Sequence, residues 1–335
     1  MKYRRLGRLA LSLKGILFVL IIGVLFTSLD LVRAVGDTIA FTSQGNIYTI
    51  DTDGTNLKKL TRGYNPSWSP DGAKLVFSFG LGRFRGDVTD IYIMDANGGN
   101  RLNLTKGRHK QNALPAWSPD GTKIAFESNR DGNSEIYVMN AEGKNPKNLT
   151  LHLDDDTCPT WSPDGTKIAF WSRQVAAGVL SLSDIFVMDA DGSDRINITQ
   201  NPRASNRTPS WSPDGSKIAY TAVRNVNRVD PWNANLDIVV MNADGTHPVR
   251  LTEDGRANWL PSWSPDGKRI VFERTMLNDP IYADIYVMNA DGTGLVNLTP
   301  TPLVPEWDPS WRPTPFSVSS RGKMPTRWAE IKERR

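Results

Sequence analysis

One cysteine, Cys158, and three histidines, His109, His152 and His247, are spread over 335 residues. A single thiol excludes an internal disulfide, so packing must hold the fold even in an oxidising compartment. Three scattered imidazoles do not make the close cluster that a zinc site needs. The chain also lacks the Gly-x-Ser-x-Gly elbow of hydrolases, a Walker-type phosphate loop and the dinucleotide-binding glycine fingerprint. Room for long helices is missing too: 27 Gly and 22 Pro recur in Pro-Asp-Gly and Asp-Gly turns that would break helices every few residues.

A long apolar run occurs once, from Gly15 to Leu29, behind a basic start of Lys2, Arg4, Arg5, Arg8 and Lys14. With Val32-Arg33-Ala34 as the cleavage site, residues 1–34 read as a secretory signal peptide, the alternative being an uncleaved membrane anchor. This segment carries a net +5, and the chain from residue 312 onward carries another +5. Since the formal total is +4, the body between them is near −6. The basic charge therefore sits at the two ends, and the sequence gives no basic surface for nucleic acid.

The body is built on a ruler. A Pro, a small residue and Trp-Ser-Pro-Asp-Gly recur around Trp68, Trp117, Trp161, Trp211 and Trp263, and a worn copy surrounds Trp311 in Pro309-Ser310-Trp311-Arg312-Pro313. Successive spacings of 49, 44, 50, 52 and 48 residues mark a repeat architecture. In the unit that begins at Pro115, a short run to Ser118, Thr122–Phe126, Glu135–Met139 and Asn148–Thr150 read as four strands, a to d, joined by Pro-Asp-Gly and Asn-Ala-Glu-Gly turns. Four short antiparallel strands per repeat, stacked radially, define an all-β propeller.

Closure of the ring is predicted from the ends. Ile39–Phe41, Asn46–Ile50 and Leu57–Thr61 supply strands b, c and d of a first unit that no Trp-Ser-Pro-Asp-Gly precedes. The missing strand a is Ser310-Trp311-Arg312, which gives six four-stranded blades with the C-terminal strand joining the N-terminal blade. The expected layout is a signal peptide at 1–34, a propeller at 35–313 and a basic tail at 314–335 with a short helix around Trp328 and Ile331.

Pro-Ser-Trp-Ser-Pro-Asp-Gly-x-Lys-Ile-Ala-Phe, followed by Asp-Ile-Tyr-Val-Met-Asn-Ala-Asp-Gly and Asn-Leu-Thr, closely resembles the WD40-like PD40 repeat of TolB-type propellers over residues 39–312. The resemblance implies a six-bladed propeller exported across the bacterial inner membrane, where TolB proteins work in the periplasm with Tol and Pal partners. The N-terminal α/β domain of TolB has no counterpart between Ala34 and Ile39, so the likeness is to the propeller.

Internal repetition separates scaffold from site, because a residue present in every blade serves what every blade needs. By this criterion Trp68, Trp117, Trp161, Trp211, Trp263 and Trp311 are packing residues between blades, and Asp71, Asp120, Asp164, Asp214 and Asp266 are turn residues. The Asp-Ala-Asp-Gly at 189–192 is a tight turn, as the rest of a calcium loop is missing. The Asn-x-Thr sequons at Asn103, Asn148, Asn197 and Asn297 fall on strand d, which makes them poor sites for sugar attachment. Antiparallel order puts the constant a–b and c–d turns on one face and the variable b–c and d–a loops on the other.

The d–a loops feed the innermost strands, so their last residues are expected to surround the channel mouth and bind a ligand or partner. These are Tyr64, Asn65, Asn112, Asp156, Asn206, Arg207, Asn258, Trp259, Glu306, Trp307 and Asp308. Aromatics, amides and carboxylates in this mixture suit a peptide or a sugar better than a phosphate. No catalytic constellation, metal site or cofactor is expected. The reading is a non-enzymatic, monomeric module of the periplasm or cell exterior that binds an envelope or extracellular protein or peptide. It touches membrane only through an uncleaved N-terminal segment. The alternative is a carbohydrate-active propeller, lyase or hydrolase.

Overall fold

The structure is a computed structural model that describes residues 37–80, 88–106, 110–173, 182–200, 205–224, 235–276, 279–300 and 304–313. The segments expected to be signal peptide and C-terminal tail lie outside the described residues.

Blade one begins with β1 (Thr38–Ser43), β2 (Asn46–Asp51) and β3 (Lys58–Arg62). Blade two is β4 (Tyr64–Trp68), β5 (Lys74–Gly80), β6 (Thr89–Asp95) and β7 (Leu102–Asn103). Blade three is β8 (Asn112–Trp117), β9 (Lys123–Ser128), β10 (Glu135–Asn140) and β11 (Lys147–Asn148). Blade four is β12 (Asp155–Trp161), β13 (Lys167–Arg173), β14 (Ser183–Asp189) and β15 (Ile196–Asn197). Blade five is β16 (Ser205–Trp211), β17 (Lys217–Arg224), β18 (Asn235–Asn242) and β19 (Val249–Arg250). Blade six is β20 (Asn258–Trp263), β21 (Arg269–Met276), β22 (Asp279–Asn289) and β23 (Val296–Asn297). The last strand, β24 (Glu306–Trp311), pairs antiparallel with β1 and completes blade one in the order β24-β1-β2-β3. All six sheets are four-stranded and antiparallel, and the ring is closed by the C-terminal strand as the worn repeat foretells.

The second strand of each blade does not alternate in burial as a one-sided strand would. Ile124, Ala125 and Phe126 are all fully buried, as are Ile168, Ala169 and Phe170. A strand sandwiched between two neighbouring blades is covered on both faces, and so it becomes a continuous apolar run. The core divides accordingly into six principal clusters and a small seventh around Val223, Leu236 and Ala257, each drawn from two successive blades. Trp161 packs with Ala125 and Ile136 of blade three and with Ile168 and Phe170 of its own blade. Its indole N–H donates to Ala116 O across that boundary at 3.2 Å. At the closing boundary Trp311 joins Ile39 and Phe41 to Val271 and Ile285, and donates to Ser262 O at 3.1 Å. The repeated Trp therefore links blade to blade, and truncating such a buried ring costs about 3–5 kcal/mol.

The loud Ser-Pro-Asp-Gly motif is a self-contained hydrogen-bonded turn. Ser69 Oγ donates to Asp71 Oδ1 at 2.6 Å and accepts the Lys74 N–H at 2.8 Å, while Asp71 Oδ1 also takes the Ala73 N–H. Gly72 closes the turn at φ +65, where a side chain would be strained. The Ser69 hydroxyl, followed by the Ala73 N–H, holds the Asp71 carboxyl below the usual carboxylate range.

The Asn-x-Thr motif is equally structural. Asn103 Nδ2 donates to Asp90 Oδ2 on the neighbouring strand, and its Oδ1 accepts the N–H of Thr105 and Lys106. Thr105 Oγ donates to Asp90 and accepts the Ile91 N–H. The same clamp, with Asn297 on Asp284 and Asn197 on Asp184, ties the two-residue outer strands to the blade. An amide so engaged is not presented for sugar attachment.

Candidate functional site at the channel mouth

Every innermost strand carries the same irregularity. Register shifts interrupt the pairing of β4, β8, β12, β16, β20 and β24 with their neighbours. At each shift a residue in the left-handed region is followed by proline: Asn65 (φ 51), Leu114 (φ 52), Cys158 (φ 53), Thr208 (φ 50), Leu260 (φ 49) and Asp308 (φ 58). Side-chain-bearing residues avoid this region, and a bulge with such a residue bends the strand and re-aims what it carries. These six residues and the prolines that follow line a central cavity of about 160 Å³. The backbone device is common to all blades, while the side chain it presents differs in nearly every one.

The mouth residues read from the sequence separate into three layers. Asn65 and Asp308 line the cavity itself, with Leu114, Cys158, Thr208 and Leu260 completing their ring. Tyr64, Arg207, Trp259 and Trp307 stand one position earlier and are half-buried around the rim. Asn112, Asp156, Asn206, Asn258 and Glu306, two positions earlier, are at most 5% exposed. This third layer braces the blades and does not line the cavity. Asn112 donates to Thr89 O of blade two and accepts from Ser128 Oγ and Arg130, and Asn258 donates to Leu236 O of blade five. Asp156 is held by two 3.1 Å bonds from Arg195, whose guanidinium lies over Phe186. Burial outweighs that cation and pushes the Asp156 carboxyl up to about 6.

A further ring was not anticipated. The residue after the buried aromatic of each second strand is Thr42, Ser78, Glu127, Trp171, Thr221 or Glu273. Ser78 Oγ accepts the Leu114 N–H at 3.2 Å, and Glu273 Oε1 accepts the Asp308 N–H at 2.6 Å. Glu127 accepts the hydroxyls of Ser134 and Thr157. These positions break the blade symmetry as strongly as the loops do. The symmetry criterion, applied to strand b, identifies them from the sequence.

Electrostatically the mouth is divided. Glu127, Glu273 and Asp308 come from blades three, six and one, and Asp308 Oδ2 accepts the Asn65 N–H at 3.2 Å. Arg207 of blade five carries the opposite charge, with its guanidinium over the rings of Trp171 and Trp259 at 5.6 and 5.9 Å from their centroids. Burial and the Glu127 carboxylate push the Cys158 thiol up to about 12, so it is protonated and unreactive at neutral pH. Among the described residues no group of three or more His, Cys, Asp or Glu is placed to hold a metal ion.

Fold and mouth together define a closed six-bladed β-propeller with a cavity bounded by the bulges of its innermost strands. The chain belongs to the family described as TolB beta propeller domain, which matches residues 32–229, more than half of its length. Among solved structures it is similar to TolB from Acinetobacter baumannii, at 22% identity and TM-score 0.66, covering 88% of this chain and 71% of that one. It is also similar to a TolB candidate from Agrobacterium tumefaciens, at 22% identity and TM-score 0.59, covering 78% of this chain and 88% of that one. An uncharacterized protein of Agrobacterium fabrum is 30% identical over 120 residues, which span 35% of this chain and 39% of that relative's own length.

Proposed function

We propose that the chain is a non-enzymatic propeller of the bacterial envelope or exterior that binds a protein or peptide partner at the channel mouth. The observation that carries this reading is the ring of six left-handed residues, one backbone device presenting a different side-chain set in nearly every blade. Strained backbone kept at one place in the fold is characteristic of sites. A cavity of about 160 Å³ is below the volume of ordinary small-molecule pockets, and fits the tip of a chain inserted from a partner that also covers the rim. Export through residues 1–34, a monomeric state and a C-terminal tail that docks as a short helix belong to the same proposal. No observation favours the carbohydrate-active alternative.

Lysine crosslinking with mass spectrometry in the native cell tests the reading. Lys110 is exposed on the loop face, whereas Lys123 and Lys144 are exposed on the turn face. Partner crosslinks are expected at Lys110; a partner joined only through Lys123 and Lys144 would show that the mouth is not the binding surface.

A further inference from the structure

Arg207 is the only cation among the six rim residues Tyr64, Ala113, Thr157, Arg207, Trp259 and Trp307. Its Nε–H donates to Ser205 Oγ at 3.3 Å, and no carboxylate among the described residues pairs with it. Burial lowers its pKa, the mark of a charge taken out of water without a counter-ion. The carboxylates of the mouth are committed elsewhere. Glu127 takes the hydroxyls of Ser134 and Thr157, Glu273 takes the Asp308 N–H, and Asp308 takes the Asn65 N–H.

A half-buried cation without a carboxylate partner is unfavourable in the free protein, and that cost is recovered when an anion arrives. Trp171 and Trp259 hold the guanidinium through cation–π contact. Its two Nη groups make no hydrogen bond among the described residues, and they are the part that remains for a carboxylate. The carboxylates that blades three, six and one contribute elsewhere in the ring, Glu127, Glu273 and Asp308, disfavour a polyanion. Arg207 immediately precedes Thr208 of the cavity lining, and the anion that a peptide chain brings to a cavity of about 160 Å³ is its own terminal carboxylate.

We propose that Arg207 anchors the free C-terminal carboxylate of a peptide, an inference that rests on reading the mouth as a peptide-binding surface. The two fail separately. Crosslinks on the turn face remove the reading, whereas mouth crosslinks together with indifference to a terminal carboxylate remove only the Arg207 assignment.

The test is calorimetric titration of the full chain with N-acetyl-trialanine as free acid, as C-terminal amide, and with an amidated N-acetyl-Ala-Asp. The free acid is expected to bind at least about tenfold more tightly than its amide, with the gap closed in Arg207→Gln and partly kept in Arg207→Lys. Equal behaviour of acid and amide up to about 10 mM overturns the proposal. So does a preference that survives in Arg207→Gln, or an aspartyl amide that matches the free acid. Digalacturonate binding more tightly than the free acid overturns the peptide assignment in favour of an acidic sugar. The acid-to-amide comparison within the unaltered chain does not depend on any variant folding.

Discussion

The two faces of the propeller are made by the same repeat and treat it in opposite ways. On the turn face the side chains are constant, because each Ser-Pro-Asp-Gly satisfies its own backbone through Ser and Asp. On the mouth face the backbone is constant, since all six innermost strands bulge through a left-handed residue before proline, and the side chains diverge. Repetition of side chains therefore marks what every blade needs, and repetition of backbone under changing side chains marks a platform. A surface that keeps both is scaffold alone.

The comparison is most exposed to failure where the two ends meet. β24 runs from mouth to turn face and pairs the last described strand with the first. Removing residues 306–335 leaves β1 paired with β2 alone, strips Trp311 from the closing cluster and uncovers the inner edge of β1. A loss of about 3–5 kcal/mol is expected from the tryptophan alone, with a large fall in the thermal midpoint. A truncated chain that melts with the full-length protein would remove the closed ring, and with it the matched mouth.

A smaller effect separates the bracing layer from the rim. The folded Asp156 carboxyl titrates at about 6, above the unfolded value of 3.8, so the folded state binds the extra proton. That contribution is present below about pH 4 and is lost as pH rises through 6, an effect of about 3 kcal/mol at most. The Ser-bonded turn aspartates, Asp71, Asp120, Asp214 and Asp266, have lowered values and add stability in the opposite direction as pH rises. Unfolding free energies of the unaltered chain and Asp156→Asn between pH 4 and 7 should diverge, with the variant lacking the downward slope. Parallel curves would mean that Asp156 is solvated and belongs to the rim.

Almost all of the fold is legible in the sequence, because Trp-Ser-Pro-Asp-Gly, Asp-Ile-Tyr-Val-Met and Asn-Leu-Thr are local motifs whose spacing counts blades. The latch is legible for the same reason, since Trp311 is the one copy without its Asp-Gly. The mouth is legible only in part. Loop order places Asn65, Asp308, Trp259 and Trp307 near the axis, but a bulge reverses which of three consecutive residues faces inward, and φ cannot be read from Asn112, Asp156 or Asn258. The ring of Glu127, Trp171 and Glu273 hides inside regular strands, where a continuous run of buried residues gives no hint that a polar side chain supports the residues of the mouth.

The most direct measurement pairs stability with binding in Trp259→Ala/Trp307→Ala. Recovery of the partner identified by crosslinking, followed alongside circular dichroism melting, reads both faces at once. A folded, cooperatively melting double variant that recovers less than about a tenth of the partner is the predicted result. Unchanged recovery by that folded variant would contradict the assignment of the mouth as the binding face.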